Sequence, residues 1–423
     1  MIDYIKLASK KIIDIDATAL LIVSLTSMIL NQVYSFTDKY GNIVLVGQIV
    51  IMVITIYRAI NSNNVLEKLY KIRIIIFFLL SYLFIDAINA TKLSDLKITF
   101  VYLMINITTV LLTLQIENYD LCIKKIVKFL NLVALLSIFY SLINILFSFR
   151  VIETDRGYYL LSEVLPGIVT MQRVSGLGLS RRYASFFSNQ NYFGYFLFIV
   201  TTVNYSILRS KKNVNLDHQK YLVIAFSLML GLILSKSRAA IISVILFIAL
   251  YELLFYHSFQ TKLNKKIKFV FIIIIAILFV FVFITRGSVF SFGRNEPWVH
   301  AVNIIKEKII LGFGTKNFNL RMLESGFVHS HNTFIQIVGT NGIVGILIYL
   351  FMYSSLSIEY FRGLTRTKDT KYIFSFAFMI VLLFYQLVEN ILYGTLFYLP
   401  IVFGIYIIIH LNQVSKKRWL IHV

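Results

Sequence analysis

The sequence is poor in charged residues, in cysteine and in proline, and each shortage excludes a class of protein. Only 14% of its 423 residues are charged and 58% are apolar. An ordinary globular domain carries about 25% charged residues, so a water-soluble fold is excluded. The single cysteine, Cys122, excludes a disulfide framework, a cysteine-based zinc site and an iron–sulfur cluster. Three prolines and 19 glycines exclude a disordered or fibrous chain.

Long apolar runs dominate what remains, and they predict an all-α polytopic membrane protein. About twelve runs are long enough to cross a bilayer core of roughly 30 Å. The first begins after Asp14 and Asp16 and has no small-residue cleavage site, so we interpret it as a retained span. The predicted spans are 17–36, 42–59, 72–90, 97–116, 126–148, 191–208, 220–234, 239–256, 267–285, 332–354, 373–393 and 395–412.

Positive charge in the loops predicts the orientation. The net charge of +21 would suggest nucleic acid as the partner of a soluble protein. Here each alternate loop, counted from the N-terminus, carries three or four lysines or arginines. Such loops face the cytoplasm and its anionic lipids. We therefore expect both termini to lie in the cytoplasm. The expected partner of the basic loops is the lipid bilayer and not nucleic acid.

Two outer connections are long, 149–190 and 286–331, and neither is of low complexity. Loops of this length are functional or disordered. The second contains an amphipathic stretch from Asn295 to Ile310, which predicts a helix because Pro297 suits a first helical turn. Trp298, Val302, Ile305 and Ile309 would share its apolar face. Such a helix either lies on the membrane interface or packs within the loop, and the sequence leaves both interpretations open.

The distribution of polar residues indicates where chemistry takes place. Ion-coupled transporters place ionisable side chains near the bilayer midplane. The central thirds of these spans are uncharged, whereas Asp86 and Glu389 lie near outer ends. Polar motifs precede spans six, eight and ten, whose N-termini face outward in this topology. These motifs are Arg181–Asn191, Ser235–Arg238 and His329–Thr333.

The arginines in these motifs predict an anionic ligand. Helix N-termini expose unpaired N–H groups and a partial positive charge, which favour anions. Asn191, Ser237 and Asn332, together with His329, are therefore candidate substrate-binding residues, and the alternative for the first three is that they only cap these helices. An arginine at such an end opposes the helix dipole by about 0.3–1 kcal/mol. Arg182 and Arg238 are therefore expected to bind a lipid-linked diphosphate through their guanidinium groups. Arg181 either joins them or reaches toward lipid headgroups.

A histidine in the third motif is the candidate base. A neutral imidazole beside an acceptor hydroxyl can remove its proton, and His331 is the candidate for this role. His329 competes for the same role from two residues upstream. The alternative for either histidine is a capping or headgroup contact. Since no carboxylates are paired at metal-binding or glycosidase-like spacing, neither a metal site nor a cofactor is predicted.

Taken in order, these motifs resemble the O-antigen ligase and Wzy-type polymerase family. The resemblance rests on Arg182-x-x-x-Phe186, Ser235-x-Ser237-Arg238, Gly312-x-Gly314 and His331-Asn332-Thr333, and it covers 181–346. It implies a metal-independent GT-C-type membrane glycosyltransferase that uses oligosaccharides on undecaprenyl diphosphate at the outer face of the cytoplasmic membrane. By position, Arg182 and Arg238 would bind the donor and His331 would activate the acceptor. Family members often carry Gly and Asn-Pro-Asn where this chain has Ser185 and Asn189-Gln190-Asn191.

The resemblance allows two enzymatic activities, and the residues alone also allow a transport protein. A polymerase would join repeat units into capsule, exopolysaccharide or O-antigen, whereas a ligase would transfer finished glycan to an acceptor. A polysaccharide flippase would need a charged central cavity, which the uncharged spans do not favour. A chain-length regulator and a flippase of the same pathway are the expected protein partners. The predicted division is a five-helix bundle over 1–148, an outer loop over 149–190, a catalytic core over 181–346 and C-terminal helices over 347–423.

Overall fold

A computed structural model describes most of the chain, and this part is mainly helical. The described residues are 16–30, 34–62, 65–90, 92, 97–154, 157–165, 168–175, 182–187, 189–210, 218–259, 295–327, 329–367 and 369–389. The helices are α1 Ala17–Leu30, α2 Tyr34–Ile60, α3 Val65–Lys71, α4 Arg73–Asn89, α5 Lys97–Leu114, α6 Tyr119–Leu146, α7 Gln190–Ser210, α8 His218–Ser235, α9 Arg238–Phe259, α10 Asn295–Glu307, α11 Thr315–Glu324, α12 Thr333–Thr367 and α13 Thr370–Val388. The strands are β1 Ser148–Thr154, β2 Gly157–Leu165, β3 Ile168–Ser175 and β4 Arg182–Tyr183.

The helices agree with the predicted apolar runs and confirm a polytopic membrane protein. Within the described ranges, four helical segments are long and apolar enough to cross a membrane: Leu121–Leu146, Arg238–Tyr256, Thr333–Arg366 and Thr370–Val388. The predicted spans 267–285 and 395–412 lie outside the described residues. The count of twelve, the topology and the predicted domain division remain predictions.

The chain forms two compact units, and the first comprises Met1–Ile51 and Ile116–Ile248. It contains an antiparallel sheet in the order β1-β2-β3-β4, which the all-α prediction did not include. Tyr159 pairs with Ile152 on one side and with Arg173 on the other. Aromatic and β-branched residues, which favour extended backbone, are frequent in these strands and explain why this predicted loop forms a sheet.

Polar side chains attach the sheet to one face of α6. Ser162 Oγ of β2 donates to Asn144 O at 2.7 Å, and Gln172 Nε2 of β3 donates to Ser141 Oγ at 3.0 Å. All four side chains are fully buried. Because buried polar groups are costly unless paired, these hydrogen bonds specify how the sheet lies on the helix.

The second unit comprises Met52–Gln115 and Ala249–Val423, and a kink in α12 organises it. Gly342 has φ +67° and interrupts the helix. In a continuous helix the N–H groups of residues 343 and 344 would bond to the carbonyls of residues 339 and 340. Instead, residues 309–314 form hydrogen bonds with these four groups. The N–H of Phe313 donates to the carbonyl of residue 339 at 3.0 Å, and that of Gly314 donates to the carbonyl of residue 340 at 2.8 Å. Ile309 O accepts from the N–H of residue 343 at 2.9 Å, and Ile310 O accepts from that of residue 344 at 3.3 Å.

A substitution at the kink tests how closely this segment fits. A Cβ on Gly342 would lie 2.0 Å from Ile310 O, in addition to the strain of a left-handed backbone. We expect Gly342→Ala to lower the free energy of unfolding by more than about 3 kcal/mol. Thermal unfolding of the purified protein in detergent measures this loss.

Gly326 is the matched control, because it also has a left-handed backbone, with φ +84°, but a Cβ there meets nothing within 4 Å. Gly326→Ala should cost only the backbone strain, about 1–2 kcal/mol. Equal losses in the two variants would contradict the close fit at the kink.

The segment that joins α10 to α11, and the first residue of α11, form hydrogen bonds with α4. Asp86 Oδ1 accepts from Thr315 N–H at 2.6 Å and so caps the first turn of α11. Asn89 Nδ2 donates to Leu311 O at 2.9 Å, and Lys308 Nζ donates to Asn89 Oδ1 at 2.6 Å. The described part of the predicted outer loop therefore has a defined structure.

The amphipathic helix is confirmed, but only part of its predicted apolar face is buried. Helix α10 ends at Glu307, three residues before the predicted end. Ala301 and Ile305 are buried against Phe318 and neighbouring apolar residues, whereas Val302 is 43% exposed. Ile309, also predicted on the buried face, lies beyond the helix end and is exposed. The helix therefore packs within its own unit.

Candidate active site

The first arginine motif links the sheet to α7. Arg182 lies in β4 and pairs with Ser175 of β3. Ser185 follows with φ +58°, and its Oγ donates to Ser137 O of α6 at 2.6 Å. Asn189 Oδ1 then accepts from Asn191 N–H at 2.7 Å and caps α7. The cap is thus Asn189, not the predicted Asn191. Arg181 lies outside the described residues.

The second arginine motif is the turn between α8 and α9. Ser235 Oγ donates to Leu232 O at 2.8 Å and accepts from Ser237 N–H at 3.2 Å. Lys236 has φ +45°, and Arg238 opens α9 with an exposed side chain. Ser237 is buried, and its hydroxyl has no hydrogen-bond partner among the described residues, so its side chain does not cap α9 as predicted.

The two arginine motifs lie together in the first unit. A Cβ on Gly194, in the first turns of α7, would lie 2.4 Å from Cβ of Ser237. Strand β4, which carries Arg182, also contacts α8. The starts of α7 and α9 are therefore adjacent.

The third motif lies in the second unit and opens α12. Asn332 Oδ1 accepts from Phe334 N–H at 2.9 Å and from Ile335 N–H at 3.1 Å, so it caps the helix as predicted. Ser330 Oγ donates to Asn332 O at 2.9 Å. His331 precedes the cap with φ +52°, and its side chain is 33% exposed.

The three motifs share an unusual backbone feature. Among the residues that the structure describes, the non-glycine residues with positive φ are Ser185, Lys236 and His331. Each lies in one of the predicted motifs, shortly before a helix start. Such conformations cost free energy and cluster at active sites and ligand clamps. The coincidence supports these motifs as the functional part of the protein.

Ser185 has a left-handed backbone, with φ +58°, which glycine adopts without strain. We expect Ser185→Ala to destabilise the protein by about 1 kcal/mol through the lost hydrogen bond to Ser137 O. Ser185→Gly loses the same bond but relieves the backbone strain, and so should be about 1 kcal/mol more stable than the alanine variant. Melting temperatures of the two variants in detergent give the order, and the reverse order would contradict this account.

Glu389 is a site residue that the sequence analysis did not assign. Its Oε2 lies 3.4 Å from His331 Nδ1, and only 7% of its side chain is exposed. The sequence signal was its position as a lone acid near the outer end of a predicted span. Among the described residues, no group of three or more His, Cys, Asp or Glu side chains could hold a metal ion.

Residues 222–350 match the family model of O-antigen ligase, which confirms the resemblance seen in the sequence. This match covers less than a third of the chain and includes the second and third motifs, but neither Arg182 nor Glu389. It indicates a membrane-bound glycosyltransferase of the ligase or polymerase type. No curated protein matches the chain.

Proposed function

We propose that this chain polymerises oligosaccharide repeat units carried on undecaprenyl diphosphate into a capsular, exo- or O-antigen polysaccharide, at the outer face of the cytoplasmic membrane. The observation that carries the proposal is the coincidence of three motifs, three left-handed residues and three helix starts. Two of these motifs also lie within the family match.

The donor diphosphate binds at the adjacent starts of α7 and α9 in this proposal. Arg182 and Arg238 bind its oxygens through bidentate, charge-assisted hydrogen bonds. The first turn of α9 contributes its N–H groups and the positive end of its dipole. A buried hydroxyl without a partner costs about 1–3 kcal/mol. A phosphate oxygen that accepts from Ser237 Oγ would remove this cost.

The proposed reaction transfers the glycan from its lipid to an acceptor hydroxyl. The bond between the anomeric carbon and the diphosphate oxygen breaks, and a bond from that carbon to the acceptor oxygen forms. The acceptor proton moves to His331 Nε2, and undecaprenyl diphosphate leaves with the negative charge that the arginines stabilise. The donor carries its own leaving group, so the proposal requires neither a metal nor a sugar nucleotide.

A ligase is the second candidate, because the matching family model carries that description. It would use the same donor and the same residues but a different acceptor, such as a core oligosaccharide. For the polymerase, the acceptor is a second lipid-linked repeat unit, and a flippase and a chain-length regulator of the pathway are the expected partners.

Reconstitution with a defined substrate tests the proposal. The purified protein in liposomes receives one lipid-linked repeat unit, with Arg238→Ala as the inactive control. A ladder of products without another acceptor supports the polymerase. Transfer only after a core oligosaccharide is added would identify a ligase instead. Absence of transfer under both conditions would overturn glycosyl transfer.

A further inference from the structure

Hydrogen bonding distinguishes the two histidines of the third motif. Their ring centroids lie 4.1 Å apart. His329 Nδ1 accepts from the backbone N–H of His331 at 3.2 Å. The neutral ring of His329 therefore carries its proton on Nε2, and its one lone pair is occupied. His329 in this state has no free basic nitrogen for a substrate.

His331 has the opposite arrangement. Its Nδ1 faces Oε2 of Glu389, and a carboxylate can only accept a hydrogen bond. The pair therefore favours the tautomer with the proton on Nδ1, which leaves the lone pair of Nε2 free. The separation of 3.4 Å is long for a hydrogen bond, as is common in catalytic pairs before substrate binds.

Side chains next to His331 hold the backbone of Glu389 in place. Thr333 Oγ1 donates to Glu389 O at 3.0 Å, and Asn332 Nδ2 donates to Leu387 O at 2.9 Å. The N–H of Glu389 donates to Tyr385 O at 2.9 Å and ends α13. The start of α12 and the end of α13 are thus joined by two hydrogen bonds next to the His331–Glu389 pair.

We infer that Glu389 is a positioning residue for His331, and that this pair, and not His329, supplies the base. The inference rests on the proposed function. Glu389 keeps the proton of the neutral imidazole on Nδ1, so that Nε2 can take the acceptor proton. It then stabilises the imidazolium that forms, as the buried carboxylate of a serine-protease triad does for its histidine.

The first test measures the tautomer and requires no activity. The full-length protein, labelled with ¹⁵N-histidine and held in nanodiscs, is compared by NMR with His331→Asn, which identifies the His331 signals. Wild-type His331 should be protonated on Nδ1 at a pH where it is neutral. Glu389→Ala and Glu389→Gln should shift the population toward protonation on Nε2. A wild-type signal from the Nε2-protonated form would overturn the inference.

The second test measures transfer by the same variants. We expect Glu389→Ala to lower kcat by about 10²-fold, with the donor KM nearly unchanged and partial recovery in Glu389→Asp. A purely structural role would not produce this separation of kcat from KM together with a change of tautomer. Should the alanine variant not fold, Glu389→Gln keeps the side-chain volume and carries the test. Glu324→Gln, at an exposed carboxylate that ends α11, is the matched control and should match the wild type in both measurements.

The two tests separate this inference from the function on which it rests. Full activity in Glu389→Ala, with no transfer by His331→Asn, would overturn the positioning role and leave the transferase intact. A tautomer that depends on Glu389, in a protein that transfers no glycan to any acceptor, would overturn the proposed function and with it the catalytic role of the pair.

Discussion

His331→Asn is expected to lower kcat for glycan transfer by about 10²–10⁴-fold, the usual contribution of a general base. Asparagine tolerates a left-handed backbone, so the variant should keep φ near the observed +52° and fold normally. Donor affinity should change little, because the proposed donor contacts lie at Arg182 and Arg238. Single-turnover rates and donor binding, measured on the purified variant, separate the two effects.

His329→Asn is the comparison for this prediction. It removes a neighbouring imidazole and the acceptor for His331 N–H, so some loss of rate is expected. The loss should be clearly smaller than in His331→Asn. A wild-type rate in His331→Asn, or a larger loss in His329→Asn, would transfer the base role away from His331.

Arg238→Ala should abolish polymer in cells while single repeat units accumulate on their lipid carrier. Loss of a guanidinium that binds a diphosphate costs about 2–5 kcal/mol, which corresponds to a rate loss of at least about 30-fold. Arg238→Lys keeps the charge but loses the bidentate geometry, so it should recover only part of the activity. Arg182→Ala should behave in the same way. Polymer length on gels and the amount of lipid-linked repeat unit are the measurements.

Lys236 provides a control within the same turn. It is exposed, its charge is the same as that of Arg238, and its φ of +45° suits asparagine. Lys236→Asn therefore removes one positive charge without changing the backbone. If it reduces polymer as strongly as Arg238→Ala, general attraction of an anion explains the effect better than a specific arginine contact. Unchanged polymer in Arg238→Ala would refute the donor role itself.

The helices and the motifs could be predicted from the sequence because they depend on local signals. Apolar runs long enough for a bilayer predicted the helices, and the polar clusters that precede three of them contain Arg182, Arg238 and His331. Capping followed the same logic at Asn332, although the cap of α7 lies two residues before the one expected. Shifts of one or two residues are common at helix ends, and here several neighbouring polar residues could serve as the cap.

The remaining features depend on contacts between distant parts of the chain. Glu389 approaches His331 across 58 residues of sequence, and only the packing of α13 against α12 reveals the pair. The sheet had a local signal in its aromatic and β-branched residues, but the surrounding hydrophobicity favoured an all-helical interpretation. The kink at Gly342 could not be derived from the glycine itself, because it depends on hydrogen bonds between α12 and residues 309–314.

That shared hydrogen bonding has a consequence for protein engineering. The kink leaves four backbone groups without partners inside the helix, and residues 309–314 supply those partners, so α12 requires this segment as part of its own structure. Chimeras designed to alter acceptor choice should therefore inherit this segment and α12 from one parent. Foreign sequence is better inserted near Gly326, where nothing lies within 4 Å of an added Cβ.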